Sequence, residues 1–452
     1  MKKILAMLLA ALMMVVAFGC QTNNEPAGTA EPTQAPATEA PAATEQPTPA
    51  ASGSVYYLNF KPEADSAWQA LATQYTQLTG VPVTVVTAAS GTYSETLTAE
   101  MDKGDKAPTL FQCGNQAGLD TWGDFCLDLT GTPVYGEMTT DDFNLFGANG
   151  EVSCIAYCYE CFGIIVNKAL LEQAGHSIDE ITDFASLKAV AEDIHARSAE
   201  LGFDAFTSSG MDGSSSWRFS GHLANMPLYY EFRDNAVTAQ PATITGAYLE
   251  NFKNVWDLYI NNSATNPTQL ASATGDQAEA EFGEGKAVFY QNGSWEYSNL
   301  TAADKFAMKA EDLAMIPIYT GVEGEDKAGL CCGTENLWAV NSQVPEENIQ
   351  ATLDFLYWVV TSEEGTAMMA EQFGPIPFKN AKESTNVFFN DANKYIADGN
   401  YVVTWAFNYT PNVDTWRAAV VAALTQYSAG TGSWDDVVTA FVQGWATQYA
   451  AQ

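Results

Sequence analysis

The stretch VYYLNFKPEADSAWQALATQYTQLTGVPVTVV, residues 55–86, decides the fold because it holds one complete strand–helix–strand unit. Val55–Phe60 is a short apolar segment of strand length, and Val83–Val86 is a second one. Gly80 and Pro82 end the helix between them. The helix itself is predicted from apolar side chains at three- and four-residue spacing, namely Trp68, Leu71, Ala72, Tyr75 and Leu78.

The same alternation continues beyond this unit. A helix is predicted around Ser94–Lys103 and a third strand at Thr109–Phe111. Strands that alternate with helices predict a parallel sheet. Because such sheets bind ligands just outside the carboxyl ends of their strands, three loops are candidate binding loops: Lys61–Asp65, Ser90–Tyr93 and Gln112–Gly118.

A second strand series begins near Ile164–Val166. Helical periodicity follows it, most clearly at 347–361, 414–427 and 435–449. Two such sheets do not easily share one hydrophobic core in a chain of this length. The sequence therefore predicts an α/β fold with two lobes, each a sheet flanked by helices.

Composition narrows the function. The 452 residues carry a formal net charge of −36 and only three histidines. Such a charge argues against binding to nucleic acid, whose phosphates need Lys and Arg, and against docking on an anionic membrane surface. We find no serine-nucleophile motif, phosphate-binding loop or metal signature, and we expect no cofactor.

The amino terminus predicts export. Lys2 and Lys3 precede the apolar run Ile4–Phe18, which is shorter than a membrane-spanning helix and typical of a signal peptide. Residues 17–20, Ala-Phe-Gly-Cys, resemble a bacterial lipobox. This resemblance implies a signal peptide at 1–19 and a lipid on Cys20, whereas an ordinary secretory signal is the alternative.

The segment 20–54 is rich in Pro, Ala and Thr, and after Cys20 it has no aromatic or large aliphatic residue. It cannot bury enough apolar surface to offset its chain entropy, so we expect a disordered tether. Lipid and tether together predict a domain anchored to the cell membrane and facing outward.

Four pieces of the folded part carry a family resemblance. The first runs from Gly283 to Trp295 and contains Gly-Lys-Ala-Val-Phe followed by Asn-Gly-Ser-Trp; the others are at 160–168, 107–130 and 362–377. In this order they resemble the extracellular solute-binding proteins of bacterial ABC importers, in the sugar-binding class.

The resemblance implies a two-lobed clamp, similar to periplasmic binding proteins, that closes on its ligand by a hinge. Lobe 1 would comprise 55–160 and 327–380, and lobe 2 would comprise 161–326 and 381–452. It also implies a carbohydrate ligand, a membrane permease as partner, no enzymatic activity and a monomer.

Stacking residues are expected among the tryptophans, because aromatic rings lie on the C–H faces of sugars. Trp295 falls where the family places a stacking tryptophan, and Trp416 matches another aromatic position of its cleft. Trp217 lies in a polar loop, and Trp405 competes with Trp416. For each of them, packing in the core is the alternative.

Polar ligand contacts are expected at the strand ends. Glu160 opens an apolar strand, where a ligand or a salt bridge explains a carboxylate better than packing does. Glu335 and Asn336 fit turn chemistry slightly better than a site. The remaining candidates lie in the predicted binding loops: Lys61, Glu63, Gln112, Asn115 and Gln116.

The seven cysteines besides Cys20 suggest neither a metal nor a defined disulfide set. Cys154, Cys158 and Cys161 have a C-x3-C-x2-C spacing, but no fourth Cys or His is near in sequence. We expect most of the seven to be small buried residues.

Two alternatives to a sugar receptor remain open. One is the same clamp with a polyamine or another cation, which needs several carboxylates around aromatic rings. The other is a surface glycoside hydrolase, which needs only a suitably spaced pair of carboxylates.

Overall fold

A computed structural model describes residues 53–452. The predicted signal peptide 1–19, the lipidation at Cys20 and nearly all of the tether 20–54 lie outside the described residues. None of the helices in the described part has the length and apolar character needed to span a membrane.

The strands of this part, in chain order, are β1 Val55–Asn59, β2 Val83–Thr87, β3 Leu110–Gln112, β4 Leu145–Phe146, β5 Val152–Ala156, β6 Glu160–Asn167, β7 Asp204–Phe206, β8 Ala287–Gly293, β9 Leu313–Ile316, β10 Ala328–Gly333, β11 Leu337–Val340 and β12 Tyr401–Thr404. The helices are α1 Asp65–Thr79, α2 Tyr93–Met101, α3 Gln116–Trp122, α4 Pro133–Gly136, α5 Lys168–Gln173, α6 Phe184–Ala196, α7 Ser198–Leu201, α8 Ala224–Asp234, α9 Leu249–Asn261, α10 Gly275–Gly283, α11 Glu296–Thr301, α12 Glu346–Thr361, α13 Glu363–Phe373, α14 Val387–Ala397, α15 Val413–Ser428 and α16 Trp434–Ala450.

Lobe 1 is built on a sheet of strand order β2-β1-β3-β11-β5-β4. β1 runs parallel to β2 and β3, which confirms the parallel unit predicted from residues 55–111. The other half of the sheet is antiparallel, since β11 opposes both β3 and β5 and β4 opposes β5. The sequence alternation did not predict this half, because β11 is supplied from far downstream in the chain.

Lobe 2 is built on a sheet of order β12-β10-β6-β8-β7, with β9 paired to β6. Because β10 pairs with β6 and β12, residues 328–333 belong to this sheet. The expected start of the second lobe 1 segment at 327 is therefore too early. After residue 327, the first strand that joins the lobe 1 sheet is β11.

Helices cover both faces of the lobe 2 sheet, so its central strand is buried on both sides. Phe162 and Ile164 of β6 belong to one hydrophobic cluster, whereas Cys161 and Ile165 belong to another. Successive side chains of a strand point to opposite faces, and β6 is accordingly apolar at almost every position.

Helix α1 buries Trp68, Leu71, Ala72 and Tyr75 against the lobe 1 sheet, as the periodicity predicts. Leu78 departs from the predicted buried face, because its side chain is 70% exposed. At about 100° per residue it lies roughly 80° around the helix axis from Trp68, at the margin of the buried stripe.

Candidate functional site

The two lobes enclose a cleft made of two adjoining cavities. The first cavity has a volume of about 530 Å³ and is lined by Lys61, Glu63, Ser90 and Gly91 of lobe 1, among others. The second cavity, of about 820 Å³, has wall residues in common with it and is lined by most of the loop 112–118. The three loops predicted from the strand ends thus converge here, because β1, β2 and β3 are parallel.

Trp295 and Trp217 pack against each other on the wall of the first cavity, and both are partly exposed. Their ring centroids are 6.0 Å apart. Trp295 follows β8, where a Cβ at Gly293 would lie 2.2 Å from its ring, so that turn requires glycine. Trp217 is held by its Nε1, which donates to the carbonyl of Ser214 at 2.9 Å. The structure therefore brings these two predicted residues together.

Trp405 also lines the first cavity, although it is only 7% exposed. Its ring stacks on Phe407 with centroids 5.6 Å apart. Gly333 makes room for it, since a Cβ there would lie 2.7 Å from the indole. Trp405 is therefore part of the cavity wall, and little of its side chain is exposed to the cavity.

Trp416 lies in the core of lobe 2 and not in the cleft, which corrects its assignment as a ligand contact. It is 1% exposed, and its Nε1 donates to the carbonyl of Phe441 at 2.9 Å. Its ring packs edge-on against Phe441 and Trp445. The reason is that α15 turns this face toward α16, so the packing alternative holds here.

Lys61 and Glu160 form a buried ion pair between the lobes, with Nζ and Oε1 2.8 Å apart. Lys61 follows β1 of lobe 1, whereas Glu160 opens β6 of lobe 2. Glu63 lies 3.1 Å from the same ammonium, and Asn336 donates to the other Glu160 oxygen at 2.7 Å. Burial opposes the charge on Lys61, but Glu160 and Glu63 outweigh it and raise the pKa of Lys61 well above its ordinary value.

The Lys61 ammonium also lies 4.9 Å from the centre of the Trp295 ring. This cation–π contact crosses the cleft and holds the indole face in position. The predicted loop residue and the predicted stacking residue therefore belong to one arrangement.

Glu296 adds a carboxyl group to the wall of the first cavity. One oxygen accepts a hydrogen bond from Asn292 at 2.9 Å, and the other has no protein partner. Burial, followed by the negative charges of Glu279 and Glu63, raises the pKa of Glu296 to about 8. The raised pKa favours the protonated form, which is able to donate a hydrogen bond.

His222 is a neutral member of the wall. Its ring stacks on Phe162 at a centroid distance of 3.9 Å, and its Nδ1 is 2.9 Å from the Gln291 amide. Burial and the nearby charges of Arg417 and Arg218 lower the pKa of His222 well below its ordinary value. It serves as a polar aromatic surface and carries no charge.

Gln112 and Asn115 line the second cavity. Gln112 is buried, and its Nε2 donates to the Tyr157 hydroxyl at 2.6 Å, while its Oε1 has no protein partner. Asn115 is occupied as the cap of α3, since its side chain accepts from the Gly118 N–H at 3.0 Å. Gln116 lines neither cavity; it is exposed and donates to Asp120, because the first turn of α3 points it outward.

Glu335 lines both cavities, which favours a place in the cleft over the slightly preferred turn interpretation for this residue. Burial raises the pKa of Glu335, although Arg417 and Lys61 oppose that shift. Asn336 is buried behind it and bonds to Glu160.

The cleft is closed where Ser90–Gly91 of lobe 1 meets Gly213–Ser214 of lobe 2. The Ser90 hydroxyl is 3.5 Å from the Ser214 carbonyl oxygen. Gly91 has a φ of +76°, and a Cβ there would lie 2.5 Å from the Gly213 carbonyl oxygen. Only glycine fits this approach of the two backbones.

The three cysteines singled out by spacing do not meet. Cys161 lies in β6 of lobe 2, Cys158 lies beside Lys61, and Cys154 lies in β5 of lobe 1. None of the seven cysteines in the described residues forms a disulfide.

Sequence reasoning missed a large part of the wall. Arg218 is buried and donates to the carbonyls of Ser209 and Gln291. Arg417 lies at the start of α15, and Glu279 in α10. A charged residue on an amphipathic helix is ordinarily expected to lie on the solvent-exposed face. No local sequence pattern therefore indicates that these three residues line the cavity. Charged side chains of the first cavity comprise seven acids and four bases: Glu63, Glu160, Asp276, Glu279, Glu296, Glu335, Asp414, Lys61, Arg218, Lys305 and Arg417.

One protein-family model matches most of the chain. The family model described as bacterial extracellular solute-binding protein matches residues 70–393. A comparison with functionally curated proteins finds no significant match.

Solved structures that resemble the chain share its fold. The complex of RafE with raffinose superposes with a TM-score of 0.67 at 16% identity and covers 88% of this chain and 99% of its own; an unliganded RafE structure is from Streptococcus pneumoniae. A Bacillus licheniformis sugar transporter complexed with stachyose gives 0.66 at 16%, covering 87% and 99%. The acarbose-binding GacH receptor of Streptomyces glaucescens gives 0.64 at 17%, covering 88% and 99%.

Proposed function

This chain belongs to the bacterial extracellular solute-binding proteins, and on that premise we propose that it captures a carbohydrate, in particular an oligosaccharide, and delivers it to the membrane subunits of an ABC importer. The observation that carries the proposal is the partly exposed pair Trp217 and Trp295 on the wall of the first cavity. The exposed faces of these rings offer flat apolar surfaces to the C–H faces of a pyranose.

Polar groups around these rings suit a neutral hydroxylated ligand. One oxygen of Glu296 has no protein partner and is available to a ligand hydroxyl, and the raised pKa of this carboxyl favours the protonated form, which donates. Glu335 places a second carboxyl group on the wall of the first cavity. Since an unpaired buried hydroxyl costs about 1–3 kcal/mol, this set selects ligands with matching hydroxyl positions. Resemblance in fold to binding proteins for raffinose, stachyose and acarbose supports the same ligand class.

The excess of carboxylates in the first cavity favours a second candidate, a polyamine or other organic cation. Against it, Lys61 pairs with two of the carboxylates and Lys305 with Glu279. The carboxylates are thus partly neutralised within the protein, which is why the carbohydrate is the first choice.

A ligand panel separates the two candidates. We expect oligosaccharides to raise the melting temperature of the purified protein and polyamines to leave it unchanged, because a ligand at 100 times its Kd adds about 2.7 kcal/mol to the unfolding free energy. Stabilisation by polyamines alone would replace the first candidate with the second. Hydrolysis of the stabilising sugar by pure protein would overturn the receptor function in favour of a glycosidase.

Closure over the ligand should depend on Gly91. In Gly91→Ala the added Cβ would lie 2.5 Å from the Gly213 carbonyl oxygen of the other lobe. The two lobes would then be held apart, so we expect ligand affinity to fall about tenfold, a loss of about 1.4 kcal/mol. Calorimetric titration measures it. The matched control is Gly131→Ala, which has the same φ of +76° and no atom within 4 Å of the new Cβ. Equal affinity losses in both variants would rule out the closure contact.

The proposal of a lipid anchor rests only on the resemblance of residues 17–20 to a lipobox. We propose that Cys20 is lipidated and that the monomeric receptor is held on the outer face of the cell membrane by the tether that follows. Palmitate labelling of cells tests this, and an unlabelled chain would exclude it.

A further inference from the structure

Three cysteines from separate parts of lobe 1 converge in the structure. Cys113 directly follows β3, Cys126 follows the short helical turn 123–125, and Cys154 lies at the centre of β5. Their three Sγ atoms all lie within 4.8 Å of one another, and those of Cys113 and Cys126 are 3.8 Å apart. Within residues 53–452 no other three Cys, His, Asp or Glu side chains bring their ligand atoms so close.

We propose that Cys113, Cys126 and Cys154 form a binding site for a thiophilic metal cation, Zn²⁺ or Cu⁺. With metal–sulfur distances of about 2.3 Å, tetrahedral ligands are separated by about 3.8 Å and trigonal ligands by about 4.0 Å. The spacing of these sulfurs is therefore close to that of a coordinated set before any metal draws them in. Thiolates select these soft or borderline ions over Mg²⁺ and Ca²⁺.

The three thiols differ in exposure. Cys126 is partly exposed, whereas Cys113 and Cys154 are buried. Cysteines bind a metal as thiolates, so binding releases protons. Cys113 lines the second cavity, which gives the ion a path from solvent.

A bound ion would join the end of β3 to β5 across the loop 114–125. That loop contains α3 and most of one wall of the second cavity, including Asn115, Ala117 and Trp122. The metal would therefore stiffen the cleft wall. This inference is independent of the identity of the solute.

Titration of the reduced, metal-free protein under anaerobic conditions tests the site, with ZnCl₂ and Cu⁺ used separately. We expect one equivalent of at least one of them to bind, with proton release, a rise in melting temperature and a thiolate-to-metal charge-transfer band. The ion that binds identifies the metal. Failure of both to bind, or a Cys113–Cys126 disulfide that persists in the protein as isolated from cells, would overturn the proposal.

Substitutions of single cysteines test which thiols bind the metal. Cys126→Ser, at the most exposed position, should weaken binding at least tenfold, whereas Cys332→Ser, in a buried thiol of lobe 2, should leave it unchanged. Equal affinity in Cys126→Ser and the unsubstituted protein would contradict the site. Because the absorption band is measured on the unsubstituted protein, the test remains decisive even if a variant does not fold.

Discussion

Replacing Trp295 by alanine should reduce carbohydrate affinity by roughly 100-fold while the protein stays folded. The indole lines the first cavity, packs against Trp217 and lies 4.9 Å from the Lys61 ammonium. Loss of one aromatic stacking surface of this size removes about 2–3 kcal/mol of binding free energy. Isothermal titration with the sugar identified in the ligand panel measures the loss.

Trp358→Ala is the matched control. Trp358 is also partly exposed, and it packs on Tyr75 and Phe355 of lobe 1, remote from both cavities. It should lower the melting temperature without changing affinity. If Trp295→Ala binds sugar as well as the unsubstituted protein does, or if it fails to fold, then Trp295 is a packing residue and the proposed site loses its main contact.

Replacing Lys61 by methionine should lower the free energy of unfolding by about 3–5 kcal/mol, because the substitution leaves a buried charge without its partner. Lys61 and Glu160 are 6% and 4% exposed, and Glu63 shares the ammonium. Without Lys61, only Asn336 hydrogen-bonds to Glu160. Urea unfolding followed by tryptophan fluorescence gives the difference.

Substituting Lys61 and substituting Glu160 should lower the free energy of unfolding by different amounts. Glu160→Gln leaves Lys61 in contact with Glu63 at 3.1 Å and keeps an amide beside Asn336, so its cost should be clearly smaller than that of Lys61→Met. Combining the two substitutions should recover part of the loss, since the buried charge that is left unpaired has been removed. Equal costs for the two single variants, or a fully additive double variant, would show that the ion pair is not the cause.

More of the fold than of the candidate site could be predicted from the sequence. Residues 55–111 predicted three parallel strands and the loops at their ends, because period and turn residues are local properties. The antiparallel β11 and the placement of β10 in lobe 2 depend on which distant strands pair, and no local pattern encodes that.

Among the tryptophans, sequence context distinguished only part of the set. Trp217 and Trp295 follow polar turn residues and do line the first cavity. Trp416 lies on a helix with a buried face, and only the packing of α15 on α16 shows which way the ring points. Helical periodicity identifies a buried stripe but not the partner that buries it.

By itself, then, the sequence determined the two-sheet α/β class, the loops after β1, β2 and β3 that line the cavities, and the strongly acidic charge of the chain. Tertiary structure alone decided the Lys61–Glu160 pair between the lobes, the raised pKa of Glu296 and the meeting of Cys113, Cys126 and Cys154. The physical reason is the range of the forces involved. Backbone periodicity acts over a few residues, whereas burial and charge depend on neighbours that folding brings from anywhere in the chain.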